Sequence, residues 1–258
     1  MKKQPFLSFV IALFVFGAAP MAHAQISLGV RGGISLNNLA IDPLIAGESD
    51  PEMILGYQFA VPVEIAIGKV FAVQPEIMFG SHGAKRFLKS TFVLGGLTSV
   101  TEINNEYRVN TLEIPILAKL KFGSESVKVH VLAGPSFGFG LSGKSNVTGQ
   151  NTITSSNGVI LEQQNSNETY TAKFVQDGYD ISEVNQEDEF AVTTTNLSLH
   201  LGAGLGFSVG RATLFLDARY MLGLSDVAPE YEGQDKTTAV EMKSNRIGLS
   251  AGVMFPLN

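Results

Sequence analysis

From Leu55 to Ile67 the chain places Leu, Tyr, Phe, Val, Val, Ile and Ile at odd positions, and Gly, Gln, Ala, Pro, Glu and Ala at even ones. A strand turns successive side chains to opposite faces, so this segment has one apolar face and one face of small or polar groups. The same two-residue period recurs in seven further segments, near 26–36, 70–80, 112–122, 127–139, 196–209, 213–222 and 246–255. The pattern predicts eight strands. Between them, short connections at Gly68-Lys69, Gly123–Ser126 and around Gly210 alternate with long ones at about 37–53, 82–106, 142–195 and 224–244. Two-residue hairpins favour glycine, which suits the short set.

Eight strands with this alternation and this rhythm of connections predict an all-β, eight-stranded antiparallel up-and-down transmembrane β-barrel. Lipid lies outside and polar groups lie inside. In such barrels the short turns face the periplasm and the long loops face outward. Strand direction then fixes the height of every residue. Tyr57, Phe59, Phe79, Phe137, Phe139 and Tyr220 fall towards the long-loop end, and Phe71, Phe122, Phe207 and Phe255 towards the short-turn end. Two aromatic levels are the expected girdles of a bilayer-spanning barrel. A soluble lipocalin-like barrel would reverse the two faces. Pro62, Pro75, Pro115 and Pro135 fall inside the predicted strands, where bulges or local breaks are expected because each lacks a ladder donor.

The N-terminus supplies the route to that membrane. Lys2-Lys3, an apolar run from Phe6 to Ala19 and Ala22-His23-Ala24 read as a cleaved signal peptide over 1–24, followed by the barrel domain over 25–258. The apolar run is shorter than the roughly 20 residues of a spanning helix. With no cysteine, the chain offers no lipoprotein anchor, disulfide or thiolate metal ligand. The net charge of −6 leaves no basic footprint for nucleic acid. The long connection 142–195 carries eight acids against Lys144 and Lys173, and so by itself accounts for −6.

Parity points Arg31, Glu64, Glu76, Glu113, Lys119, Lys121, Lys128, His130, His200, Asp217, Arg219 and Arg246 to the inner face. An eight-stranded interior is just wide enough to be filled by side chains, and buried charges need partners. These groups are therefore expected to form a plugging ion-pair network, with Glu64 and Glu76 sharing bases such as Arg31 and Lys119. Catalytic candidates are His130, His200, Ser136 and Asp217, but no motif frames them and lumenal histidines face away from lipid substrates. His82 reads as a residue in or near a loop, without an identifiable partner. Glu187-Asp188-Glu189 lacks the spacing of a calcium loop. Gly158–Glu162 and Thr169–Val175 suggest a hairpin projecting above the membrane, able to bind a partner by strand addition.

Five segments carry a resemblance: Leu28-Gly-Val-Arg-Gly-Gly-Ile34, Leu112-Glu-Ile-Pro-Ile-Leu117, Leu132-Ala-Gly-Pro-Ser136, Leu201-Gly-Ala-Gly-Leu-Gly206 and the short final strand. Through them the chain resembles, over 25–258, the outer-membrane β-barrel domain family of Bacteroidetes-type bacteria often called PorT-like. The resemblance implies a small OmpX- or OmpA-like barrel in the outer membrane. The founding member is linked to protein secretion, a role that a fold does not carry with it. The expectation is thus a non-enzymatic outer-membrane barrel of a Gram-negative bacterium, with a plugged lumen and outward loops for structural or interaction roles. An accessory role in secretion is the alternative, ahead of a lipid-modifying enzyme or a small pore. No cofactor or metal is expected. Outer-membrane lipid surrounds a monomer, and a protein at the external loops is the partner to seek.

Overall fold

The computed structural model describes residues 25–42, 49–233 and 241–257. The expected signal peptide, 1–24, lies outside the described residues, as do 43–48 and 234–240 within two of the expected loops. The chain is all-β. Its strands are β1 (Gln25–Asp42), β2 (Glu52–Ile67), β3 (Phe71–Leu94), β4 (Leu97–Gly123), β5 (Val127–Ser155), β6 (Ile160–Val175), β7 (Glu189–Thr193), β8 (Thr195–Val209), β9 (Ala212–Gly223) and β10 (Glu241–Pro256). They form one sheet in the order β4-β3-β2-β1-β10-β9-β8-β5-β6-β7, and β4 pairs with β5 as well. That additional ladder leads from β5 back to β4 and makes the sheet ring-like. The ladders are antiparallel except the parallel one between β6 and β7.

The sequence period explains the ring. Along β2 and β9, burial alternates residue by residue. Neighbouring strands meet with like faces in register. Leu28 lies opposite Phe255 and Val63, and Ile34 opposite Leu249 and Tyr57. The distribution is that of a soluble core turned inside out. Val30, Phe59, Ile77 and Leu249 are 57–61% exposed, whereas Arg31, Glu76, Glu113 and Arg246 are 1–3% exposed. Glycines on the inner face make the room. Arg31 pairs across the ladder with Gly252, Glu113 with Gly138, His130 with Gly204, His200 with Gly134, and Arg219 with both Gly202 and Gly248.

Ten strands stand where the pattern predicts eight. The two additional ones, β6 and β7, fall within 142–195, the longest expected loop. Most of the expected loop 82–106 is strand too, because β3 and β4 run on to a two-residue turn at Gly95-Gly96. Both glycines have positive φ, +60° and +79°, as a type I′ hairpin turn requires. The upper parts of β3, β4, β5 and β6 thus form a sheet beyond the ring. β2 pairs with β3 only as far as Glu52↔Lys85, while β3–β4 pairing continues to Leu94↔Leu97 and β5–β6 pairing covers Lys144 to Thr154.

The prolines do not shift the register. Pairing runs in constant register through Pro62, Pro75, Pro115 and Pro135, but it skips Val63-Glu64 between β2 and β3 and Ile116-Leu117 between β4 and β5. A missing donor therefore costs local rungs rather than a bulge. The register shifts lie elsewhere: two, between Met53 and Gln58 and between Asn110 and Thr111, fall near the level where the ring gives way to the projecting sheet, and a third, between Ile153 and Thr154, falls at the far end of the β5–β6 ladder.

β7 lies at the long-loop end of the ring. It lies alongside the lower end of β6, Thr171–Val175. Val175 and Val192 are buried with Leu39 and Val109. Phe190 meets Tyr107 edge-on at 5.4 Å. The backbone ties this strap to the last connection. Thr193 N–H donates to the Val227 carbonyl at 3.1 Å, Val227 N–H to Met242 at 2.8 Å, and Glu232 N–H to Tyr179 at 2.8 Å. Between strap and wall a cavity of about 180 Å³ remains, bordered by Tyr107, Phe190, Asn105 and Ala228.

Candidate functional site

The inward charges stack in three layers along the ring. In the layer nearest the strap, the Glu113 carboxylate accepts from Arg246 Nη2 at 2.9 Å and from Thr111 Oγ1 at 3.0 Å, and lies 2.5 Å from His82 Nε2. His200 Nε2 is 3.6 Å from the same carboxylate. The structure corrects the reading of His82 as a residue in or near a loop without a partner. His82 is instead buried on β3, in contact with Glu113, Thr111 and Arg246.

The middle layer is the most tightly bonded. Glu76 accepts from Arg31 Nη2 at 2.8 Å, from Arg219 Nη1 at 3.0 Å and from Gln74 Nε2 at 2.6 Å. Asp217 accepts from Arg219 Nη2 at 2.7 Å and lies 2.6 Å from His130 Nε2. Gly204 makes this last contact possible, because a Cβ there would fall 2.4 Å from Asp217 Oδ1 and 2.5 Å from His130 Nε2.

In the layer at the short-turn end, Lys119 donates to Glu64 at 2.9 Å, and Lys121 bonds the same carboxylate. Lys119 also donates to Gln74 Oε1 at 2.9 Å and stands 5.8 Å from the centroid of the Phe215 ring. Glu64 and Glu76 therefore share no base. Gln74, a neutral residue, links their two layers. Lys128 is half-buried at this end, in the wall of a cavity of about 220 Å³.

The catalytic candidates do not assemble. Ser136 and His130 lie six residues apart on β5, a separation of about 20 Å along a strand. Ser136 is fully buried and its hydroxyl has no hydrogen-bond partner. His130 and Asp217 do meet, but Arg219 takes up the other carboxylate oxygen. Among the described residues no cluster of His, Asp and Glu is arranged to hold a metal ion. Two participants escaped the sequence pattern. His82 sits among Ser81 and Gly83, which signal a turn, and Arg211 sits in the Gly210 turn. Counting parity upward from Glu76 and downward from Thr213 would have placed both on the inner side.

A family model described as outer membrane protein beta-barrel domain matches residues 20–228. The chain belongs to that family. No curated protein matches it. Among solved structures it is similar to Neisserial surface protein A, at 11% identity and a TM-score of 0.40, over 88% of this chain and 96% of that one. It is similar to the outer membrane protein OprG of Pseudomonas aeruginosa, at 10% identity and a TM-score of 0.39, over 92% and 99%. It is also similar to a major outer membrane protein of Thermus thermophilus, at 13% identity and a TM-score of 0.38, over 91% and 99%. Family membership rests on the match over 20–228, which spans the ring's wall as far as β9.

Proposed function

We propose that the eight strands of the ring, β1 to β5 and β8 to β10, form a transmembrane barrel in the outer membrane of a Gram-negative bacterium, reached through a cleaved signal peptide. The barrel is non-enzymatic, plugged by its layered charges and by the β7 strap, and it displays the sheet of β3 to β6 outward as an interaction surface. The observation that carries this reading is the inversion of the two faces. A continuous exterior of Leu, Val, Ile and Phe surrounds an interior of buried Arg, Glu, Asp and His. In water, that exterior would be an apolar patch far beyond what a soluble monomer tolerates. In hydrocarbon it is the required lipid face, and ring closure satisfies the backbone with no edge left over. The interaction role draws on the sheet's far end. There Phe92, Val93, Leu94, Val159, Ile160 and Leu161 are all more than half exposed, and β6 from Ile160 to Tyr170 has a ladder on only one side.

The test is gel mobility of the detergent-extracted outer-membrane fraction, boiled against unboiled, together with planar-bilayer recording of the purified protein. A heat-dependent shift and no single-channel current are the expected pair. A soluble periplasmic protein without a shift would overturn the barrel, and steady conductance would overturn the plug.

A further inference from the structure

Formal charge is distributed unevenly along the lumen. With neutral histidines, the strap-side layer sets Glu113 against Arg246, and the middle layer sets Glu76 and Asp217 against Arg31 and Arg219. Each of these layers sums to zero. Among the described residues the short-turn layer holds one acid, Glu64, against Lys119, Lys121 and Lys128, with Arg211 at the rim. Its excess is three positive charges. Glu64 is already committed to Lys119 and Lys121. Among the described residues Lys128 and Arg211 have no hydrogen-bond or ion-pair partner.

The layer with unbalanced charge is also the one that borders open space. The cavity of about 220 Å³ is walled by Lys119, Lys121, Lys128, Arg211 and Thr213, with Phe215 and His130 towards its inner end. At roughly 30 Å³ of liquid volume per molecule it has room for about seven waters. Lys128 lies opposite Gly206 across the ladder, so no neighbouring side chain fills the space before it. Donors predominate among the groups that border the cavity. Cations gathered in a half-enclosed, low-dielectric cleft repel one another and focus a field that attracts anions.

We propose that this short-turn mouth is a binding site for a phosphate-class oxyanion, held by Lys128 and Arg211 with Lys119 and Lys121 behind them. Charge-assisted bonds to such a group are short and strong, with lysine acting as a point charge and arginine as a fork. The same chemistry is offered by free phosphate and by the headgroup of an anionic phospholipid at the barrel rim. The site rests on the cavity and its charges and does not depend on which way the barrel is oriented.

The experiment titrates the full chain, in neutral detergent, with inorganic phosphate and separately with short-chain phosphatidic acid, followed calorimetrically. Lys128→Gln and Arg211→Gln are the test variants, and Lys85→Gln, on β3 at the upper limit of its ladder with β2, is the control. Neither test residue holds a partner, so both variants should keep the boiled-against-unboiled mobility shift. Saturable binding by the wild type and the control, weakened about tenfold by each test substitution, is the expected result; tenfold corresponds to about 1.4 kcal/mol. Tighter binding of phosphatidic acid than of phosphate assigns the lipid source, and equal or weaker binding assigns the free anion. Absence of binding to both probes, or binding unchanged in the Lys128→Gln/Arg211→Gln double variant, overturns the proposal. Because the mobility shift is scored in the same samples, failure of this site and failure of the barrel reading are told apart.

Discussion

The ring and the projecting sheet are built from the same strands yet obey different rules. β4 passes from one to the other without interruption. From Val109 to Leu120 its residues alternate in burial, while from Thr98 to Tyr107 they are half-buried throughout. In the ring each strand separates a polar interior from an apolar exterior, so every side chain has one permitted direction. In the projection neither face is buried as a core, and the ladder alone holds the register. β6 is exposed at every position from Ile160 to Thr169. Stability and specificity therefore sit in the ring, and the freedom to vary in sequence sits in the projection.

The strongest way to break this comparison is to reverse one charge in each region. Glu76 joins Arg31 and Arg219 in the dry middle layer. Glu76→Arg would place three guanidinium groups there with Asp217 as the only carboxylate. Removing one partner from a buried pair costs about 3–5 kcal/mol, so we predict that the heat-shifted band is lost. Glu102 in the projection pairs with Lys89 at 2.7 Å, with both side chains at least a third exposed. Glu102→Arg should cost less than about 1 kcal/mol and leave the band unchanged. Equal effects in urea titrations of refolded protein would show that the two regions do not differ as described.

A second comparison tests the space made by inner-face glycines. Gly204→Ala would push a methyl group against the Leu216 carbonyl oxygen and onto the His130–Asp217 contact, and overpacking of this kind costs about 1–3 kcal/mol. Gly149 lies in the projection, where a Cβ would meet only the Ser166 side chain. Gly149→Ala should therefore leave the unfolding midpoint unmoved.

The same difference decides what could be read from the sequence. In the ring, the apolar outer face and the polar inner face impose the two-residue period. Leu55–Ile67 shows it without exception, and so the strands, their facing and the inward charges were legible. Arg86-Phe-Leu-Lys-Ser-Thr91 and Gln163-Gln-Asn-Ser-Asn-Glu168 have no such period. No core selects one face of them, and polar residues of low strand propensity read as loop. They become strands because β4 and β5 continue alongside and supply a ladder. β7 was hidden for a further reason. It pairs in parallel with the end of β6, a connection that no local hairpin signal announces. Of the inward charges, identity was legible but partnership was not. Parity gives the side of the wall, while the choice between Arg31 and Lys119 for Glu76 depends on strand stagger, which the period leaves open.

Shortening the projection sharpens the comparison further. Replacing 149–166 by an Asn-Gly turn takes away the outer part of the β5–β6 hairpin and leaves the lower end of β6 beside β7. We predict no change in the mobility shift or in the unfolding midpoint. A lost shift would mean that the hairpin contributes to closure of the ring.

A slight effect is expected at the seam between the strap and the last connection, beyond the ends of the ring strands. Asp226 accepts from the Ala228 and Met242 N–H groups, each at 2.9 Å. Burial pushes its carboxyl up from the usual carboxylate range; the two N–H bonds pull the other way, and Glu241 and Asp177 add to the rise. A carboxyl whose folded-state pKa is raised favours the folded state most when protonated. Its contribution is present below the unfolded-chain value and is lost as pH rises through the raised folded value. The seam should therefore loosen slightly as pH rises across that window, read as falling protection of the Val227 amide, corrected for intrinsic exchange. Asp226→Asn keeps an oxygen acceptor and has nothing to titrate, so the pH dependence should vanish while protection persists. If the asparagine variant keeps the same pH profile, a different group governs the seam, and the strap is then coupled to the charged layers beneath it rather than to its own loop.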